Sequence, residues 1–268
     1  MERKLWNLVE RGKLEDTKEI LRIHPAINVN WSNGFWKGPG GPSSALHRAC
    51  WNGHDAIVSL LLAHPAINVN LKDTHGFSPF MIAARCGALP CVRLLLLDPR
   101  VRPNEPGGNG YTPLIYSVFY VQYDVIRWWI ASGREMDLGK PGDEKTDAIR
   151  AAVGLPGARK TEMVTLLERF RGDPVETRRD VRVELGCEDD LAAEIFALVI
   201  FVSDGLLEIR RKISRKTCLP NRARVFAIAT RLPIELQMVL CYRMVGSARE
   251  IIPFKESELA FRELAKRI

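Results

Sequence analysis

Histidine is scarce and stops early: the chain holds five, and none lies beyond His75. Most of the sequence therefore has no imidazole for general-base chemistry, proton transfer or metal ligation. The six cysteines are scattered, with no C-x-x-C pair and no histidine placed to complete a zinc set. That spacing excludes a disulfide framework and points to reduced, intracellular thiols buried as small apolar side chains. G-x-S-x-G, H-E-x-x-H and phosphate-cradling glycine patterns are all missing, and Gly107-Gly108-Asn109-Gly110 does not sit between a strand and a helix start. The longest apolar run, Leu191 to Val202, contains Glu194 and is too short for a hydrocarbon core about 30 Å thick, so no membrane partner is expected. No charged-then-apolar leader opens the chain, and secretion is not expected. Charge of one sign is also wanting: 39 basic against 32 acidic residues leave a net +7 spread through the chain. Diffuse charge of that kind favours solubility, and nucleic acid is not the expected partner. No catalytic residue, cofactor or metal is expected.

What the chain does have is a period. Ser44-Ala45-Leu46-His47, Ser78-Pro79-Phe80-Met81, Thr112-Pro113-Leu114-Ile115 and Thr146-Asp147-Ala148-Ile149 begin 34 residues apart. Small residues, a turn and a Leu-rich stripe follow each in phase: Ala49-Cys50, Asn52-Gly53-His54 and Leu60-Leu61-Leu62, then Ala83-Ala84, Cys86-Gly87 and Leu94-Leu95-Leu96. A repeat of this length predicts stacked helix-turn-helix units, each burying its apolar face against its neighbours. By phase Cys50 matches Ala84 and Cys91 matches Ile57, both core positions. Trp128 and Trp129 match Leu60 and Leu61, which places both in the core stripe of an outer helix.

This pattern resembles the ankyrin repeat, most closely in the units at 44, 78 and 112. An upstream unit is carried by Trp6, Leu8-Val9, Gly12, Ile20-Leu21 and Val29-Asn30, and its segment His24 to Asn30 recurs at His64 to Asn70. Those copies lie 40 residues apart, so the Gly- and Pro-rich stretch Trp31 to Ser43 carries an insertion in the first hairpin loop. A distorted last unit follows Thr146, with Gly154, Leu155, Pro156 and Gly157 in its turn, because Pro156 cannot continue a helical ladder. The resemblance implies an all-α solenoid of about five repeats with β-hairpin loops. These span about 1–31, 44–73, 78–107, 112–140 and 146–171, with a small helical C-terminal domain at 172–268. It also implies that His47 ties adjacent hairpins together, and that Asn70 occupies a position where such proteins are hydroxylated.

In ankyrin stacks the inner helices and hairpin loops line the groove that protein partners use. The outward slots read by phase are Asn7, Glu10 and Arg11, then Arg48, Trp51 and Asn52, then Ile82, Arg85 and Cys86, then Tyr116, Phe119 and Tyr120. Aromatic and Arg side chains dominate interface hot spots. Arg48, Trp51, Asn52, Ile82, Arg85, Tyr116, Phe119 and Tyr120 are therefore the candidate partner-binding residues, with Trp31, Phe35 and Trp36 at the rim. The alternative role for several of them is packing against the next repeat or the C-terminal domain. The expected partner is another protein, offering an extended or helical acidic segment, in the cytoplasm or also the nucleus.

Beyond Asp173-Pro174 the period is lost. Asp189 and Asp190 precede an apolar helical stretch over Leu191 to Ile209, and helices are expected again over Arg222–Met244 and Glu256–Ile268. The connector holding Arg210-Arg211-Lys212 and Arg215-Lys216 reads as a solvated loop, or as a nuclear-import or phosphate patch. Leu232-Pro233-Ile234-Glu235-Leu236 resembles the start of an F-box, although the downstream Trp of that pattern is absent. Taken with the repeats, it is similar to poxvirus ankyrin proteins that serve as substrate adaptors of cullin-type ubiquitin ligases. That resemblance implies that Leu232, Pro233, Leu236 and Leu240 contact the ligase; the same residues also suit the core stripe of a bundle helix.

Overall fold

The computed structural model describes residues 1–34, 42–157, 159–187, 195–196, 237–238, 240–241 and 260. Five helix pairs come first. Their inner helices are α1 (Glu2–Glu10), α3 (Ala45–Asn52), α5 (Pro79–Cys86), α7 (Pro113–Phe119) and α9 (Ala148–Val153). Their outer helices are α2 (Leu14–Ile23), α4 (Asp55–Leu62), α6 (Leu89–Leu97), α8 (Tyr123–Ser132) and α10 (Arg159–Gly172), and α11 (Pro174–Leu185) follows. Inner helices pack on one another in order, α1 on α3, α3 on α5, α5 on α7 and α7 on α9, and the outer layer runs α2, α4, α6, α8. The chain divides into two compact units, Met1–Arg178 and Arg179–Ile268.

The repeated four-residue motif is the start of each inner helix. Ser78 and Thr112 cap α5 and α7 by accepting from the Met81 and Ile115 N–H groups, and Pro79 and Pro113 open those helices, where a missing N–H costs nothing. Asp147 caps α9 through the Arg150 N–H at 3.0 Å. Ser44 departs from the pattern, because its hydroxyl bonds His47 Nδ1 at 2.7 Å instead of a backbone N–H. The inner helices end where Gly53 and Gly87 take φ of 71° and 70°. The third copy of that turn holds Val121 at φ 55°, a left-handed conformation that a β-branched side chain disfavours.

The expected hairpin loops are present as tight turns without a strand ladder. Asp73 N–H donates to Phe77 O and Gly107 N–H to Tyr111 O, each at 2.9 Å, and the first loop makes one isolated bridge between Ser32 and Ser44. Loops this tight pair too few residues for a ladder, and no strand occurs among the described residues. Pro156 does lie in the α9–α10 turn, and α9 is shortened to end at Val153.

The core follows the phase. Leu46, Ala49, Cys50, Ile57, Val58 and Leu61 are buried in the second unit, and Phe80, Ala83, Ala84, Cys91, Val92 and Leu95 in the third. Burial pushes the Cys91 thiol up to about 11 and raises that of Cys50 well above its ordinary range. Trp129 is fully buried, its ring edge-on to Phe80 with centroids 5.0 Å apart. Trp128 is corrected to half-buried, because its slot lies at the margin of the stripe and its ring face carries the Arg93 guanidinium at 3.9 Å.

Between units the stack is stitched by asparagines. The Asn30 side chain donates to Ala66 O at 2.7 Å and accepts from the Asn68 N–H at 2.8 Å. Asn70 does the same to Arg100 O and the Arg102 N–H, and Asn104 to Glu135 O and the Asp137 N–H. Each amide thus satisfies one carbonyl and one N–H of the following unit. Arginine adds a second set of ties: Arg100 donates to Leu62 O at 2.8 Å and Arg178 to Ile130 O at 3.1 Å, capping carbonyls at the ends of α4 and α8.

Candidate partner-binding face

The candidate residues fall into three slots of the inner helices, the members of each slot 34 residues apart, and the first slot differs from the other two. The first slot holds Arg48, Ile82 and Tyr116, with only 4%, 3% and 8% of their surface exposed. Burial argues against direct partner contact by these three: Arg48 lies against Glu10 and Trp6 of α1, and Tyr116 against Phe77, Asn109 and Tyr111. The second slot holds Trp51, Arg85 and Phe119, and the third Asn52, Cys86 and Tyr120; here the side chains are half-buried or exposed. Phe119 and Tyr120, at 43% and 48%, are the aromatics among the exposed large hydrophobic residues described.

Polar residues in the first slot are buried because each has a partner outside its own helix. Arg48 donates from Nε and Nη2 to the two Glu10 carboxylate oxygens at 2.7 and 2.8 Å, and its guanidinium lies 5.6 Å from the Trp6 ring centre. Trp6 in turn donates from Nε1 to Ser43 O at 2.7 Å. The Tyr116 hydroxyl accepts from Asn109 Nδ2 at 2.7 Å. His47, also buried, bridges units as expected: Nδ1 takes the Ser44 hydroxyl and Nε2 meets Phe77 O at 3.0 Å. With a carbonyl at Nε2 and a hydroxyl donating to Nδ1, the ring is neutral with its proton on Nε2. Burial holds its pKa below 6.5, partly offset by the Phe77 carbonyl.

The exposed aromatics are linked through the buried Tyr116 into one belt. The Arg85 guanidinium lies between the Trp51 ring of α3 and the Tyr120 ring at the end of α7, 5.7 and 4.8 Å from their centres. Tyr120 is 6.5 Å from Tyr116, which stands edge-on to Phe77 at 5.2 Å and to Tyr111 at 5.9 Å, and Tyr111 is edge-on to Phe119 at 5.6 Å. Sequence reasoning missed Phe77 and Tyr111 because they sit one residue ahead of each capping motif, at the hairpin ends. Gln122 fixes the α7–α8 turn beneath this belt by donating to Arg85 O at 3.1 Å. Cys86 is exposed beside the belt, and partial burial raises its thiol pKa.

Several sequence expectations lie outside the described residues: Phe35 and Trp36 of the inserted loop, Cys218, the basic connector, and Leu232, Pro233 and Leu236 of the F-box-like segment. Leu240 is helical and half-buried. Among the described residues no helix is long and apolar enough to cross a membrane.

A family profile described as ankyrin repeats in three copies matches residues 5–106 and 46–140. The chain is similar to the SMC5-SMC6 complex localization factor protein 1 of Bos taurus, 34% identical over 87 residues, which are 32% of this chain and 8% of that protein. It is 31% identical over 96 residues to a transient receptor potential cation channel subfamily A member 1 homolog of Caenorhabditis elegans, covering 35% of this chain and 8% of the channel. Against the E3 ubiquitin-protein ligase KEG of Arabidopsis thaliana it is 29% identical over 111 residues, 41% of this chain and 7% of the ligase. The chain therefore spans less than a tenth of the length of each of these relatives.

Proposed function

The chain belongs to the ankyrin-repeat family, and from that premise we propose that it is a non-catalytic recognition module that holds a partner protein on the inner-helix face. The observation that carries this reading is the accessible belt of Trp51, Arg85, Phe119 and Tyr120 on three consecutive inner helices. A face that only meets water has no use for two neighbouring aromatics that are almost half exposed; burying each in an interface gains large area for few rotatable bonds. Asn52 lies next to Trp51, and its side chain already donates to Glu10 O at 3.0 Å, so it shapes the edge of the face. The left-handed Val121 beside Phe119 and Tyr120 fits the same reading, since strained backbone collects where a chain presents side chains to a ligand.

A photo-crosslinking amino acid placed at Phe119 tests the reading in cells. It should attach a partner that the same probe placed at Arg93, on an outer helix, does not. Equal capture at both sites would contradict it.

A substrate-adaptor role for a cullin-type ubiquitin ligase is the second reading. Its support is the Leu232-Pro233-Ile234-Glu235-Leu236 segment, together with a relative named as an E3 ubiquitin-protein ligase. The inner face would select the substrate and Leu232, Pro233, Leu236 and Leu240 would recruit the ligase. Affinity purification of the parent and of a Leu232→Ala, Pro233→Ala variant decides it. Loss of cullin-ligase subunits from the variant supports the adaptor, and their absence from both removes it.

A further inference from the structure

Building on the partner-face reading, we propose that Arg85 reads a single carboxylate in an extended acidic segment of the partner, while a large apolar residue of the same segment seats on Phe119 and Tyr120.

The charge of the face selects the occupant. Helices α3, α5, α7 and α9 contain no Asp or Glu; their charged residues are Arg48, Arg85 and Arg150. Arg48 is neutralised by Glu10 at 2.7 Å. Arg150 lies 3.5 Å from Glu144 and donates to Gly142 O at 2.6 Å. Arg85 has no carboxylate within 4.0 Å among the described residues; what it has is two aromatic rings. Ring faces attract the cation but accept none of its five N–H donors in a carboxylate-type fork. The guanidinium is thus half-buried, held in place from α3 and from the end of α7, and still able to donate two parallel bonds to one carboxylate. Because the rings already restrict the side chain, little rotamer freedom is left to lose on binding.

The spacing selects the sequence. Adjacent packed helices lie about 8–10 Å apart, and an extended chain advances about 3.3–3.6 Å per residue. A segment crossing from Arg85 on α5 to Phe119 on α7 therefore places its acidic and its apolar contact about three residues apart. A phosphate, with its second charge, calls for a second free cation here; Arg48 is already committed to Glu10, so the fork suits a carboxylate.

The test is selection of random 12-residue peptides on the immobilised full chain, followed by fluorescence polarisation with resynthesised peptides. Selected sequences should place Asp or Glu about three residues from Leu, Ile, Phe or Trp. Neutralising that Asp or Glu to Asn or Gln should weaken binding about 10–100-fold on the parent and little on Arg85→Gln, with Arg85→Lys failing to restore the forked contact. An unchanged melting temperature for Arg85→Gln keeps the comparison interpretable. Peptides that lose affinity to Phe119→Ala yet ignore both Arg85→Gln and their own neutralisation would overturn the carboxylate assignment while leaving the partner face intact. A phosphoserine peptide binding more than tenfold tighter than its Asp counterpart would also overturn it, in favour of a phosphate. If no selected peptide depends on Trp51, Arg85 or Phe119, the partner face itself is refuted.

Discussion

Removing the Glu10 carboxylate should leave Arg48 charged, buried and without its fork, and the loss should fall on the first repeat. In the intact chain that carboxylate takes two bonds at 2.7 and 2.8 Å from a guanidinium whose side chain is 5% exposed. Breaking a fully buried pair costs about 3–5 kcal/mol. Glu10 is itself 24% exposed, so water enters the vacated space and recovers part of this. The expectation for Glu10→Ala is therefore about 2–3 kcal/mol, the range of a lost charged hydrogen bond with partial rehydration. Glu10→Gln keeps the shape and one acceptor oxygen, and should lose less. Replacing both partners, Glu10→Leu with Arg48→Met, removes both desolvated charges and should lie close to the parent or above it. Urea unfolding gives the free energies, and hydrogen exchange across α1 locates them, since repeats lose structure next to the weakened interface first. Two results would refute the reasoning: a Glu10→Ala midpoint equal to the parent's, or a double variant no more stable than the single one.

The neutral, buried His47 makes stability depend on pH. Its folded pKa lies below 6.5, so the unfolded chain binds the proton more readily; stability should be full above that pH and fall as pH drops through it, with a His47→Gln chain showing a flatter profile in urea titrations from pH 7 to 5. Val121→Gly should relieve a left-handed strain of about 1–2 kcal/mol against about 0.5–1 kcal/mol of added chain entropy. The net gain of up to about 1.5 kcal/mol is read as a raised melting temperature, and a lowered one would count against the strain. Gly53→Val, the converse change at a site with open space around it, should lose about 1–2 kcal/mol. Asn70→Ala removes both ties to the third unit and, at a half-exposed position, should cost about 1–2 kcal/mol in urea unfolding.

The repeats were legible because their signals are local. A capping hydroxyl, a proline and a turn glycine act within a few residues of themselves, and the 34-residue recurrence of these signals marked the second to fifth helix pairs, while the first was carried by the His24 to Asn30 segment that returns 40 residues on. Slots within a helix were harder. Arg48 and Tyr116 look like surface residues, yet each is buried against a group supplied elsewhere, the Glu10 carboxylate 38 residues upstream and the Asn109 amide in a loop. Residue type alone does not reveal a distant partner. A comparison along the period did hold a clue, since Ile82 occupies the same slot and an isoleucine there argues for burial. Asn30, Asn70 and Asn104 likewise recur in the sequence, but their double bond to the following unit requires the superhelical stacking to be known. Trp128 and Trp129 show the limit of phase at the margin of a stripe, where one residue's rotation separates a core side chain from one that shelters an arginine.

Quantitative affinity purification with the full chain and a Trp51→Ala, Arg85→Ala, Phe119→Ala variant tests the central claim most directly, with an Arg93→Ala variant of the outer layer as control. Recognition through the inner face predicts that the principal partner is retained by the parent and the control, and lost from the triple variant while its melting temperature stays within a few degrees of the parent's. Undiminished capture by a folded triple variant would contradict it.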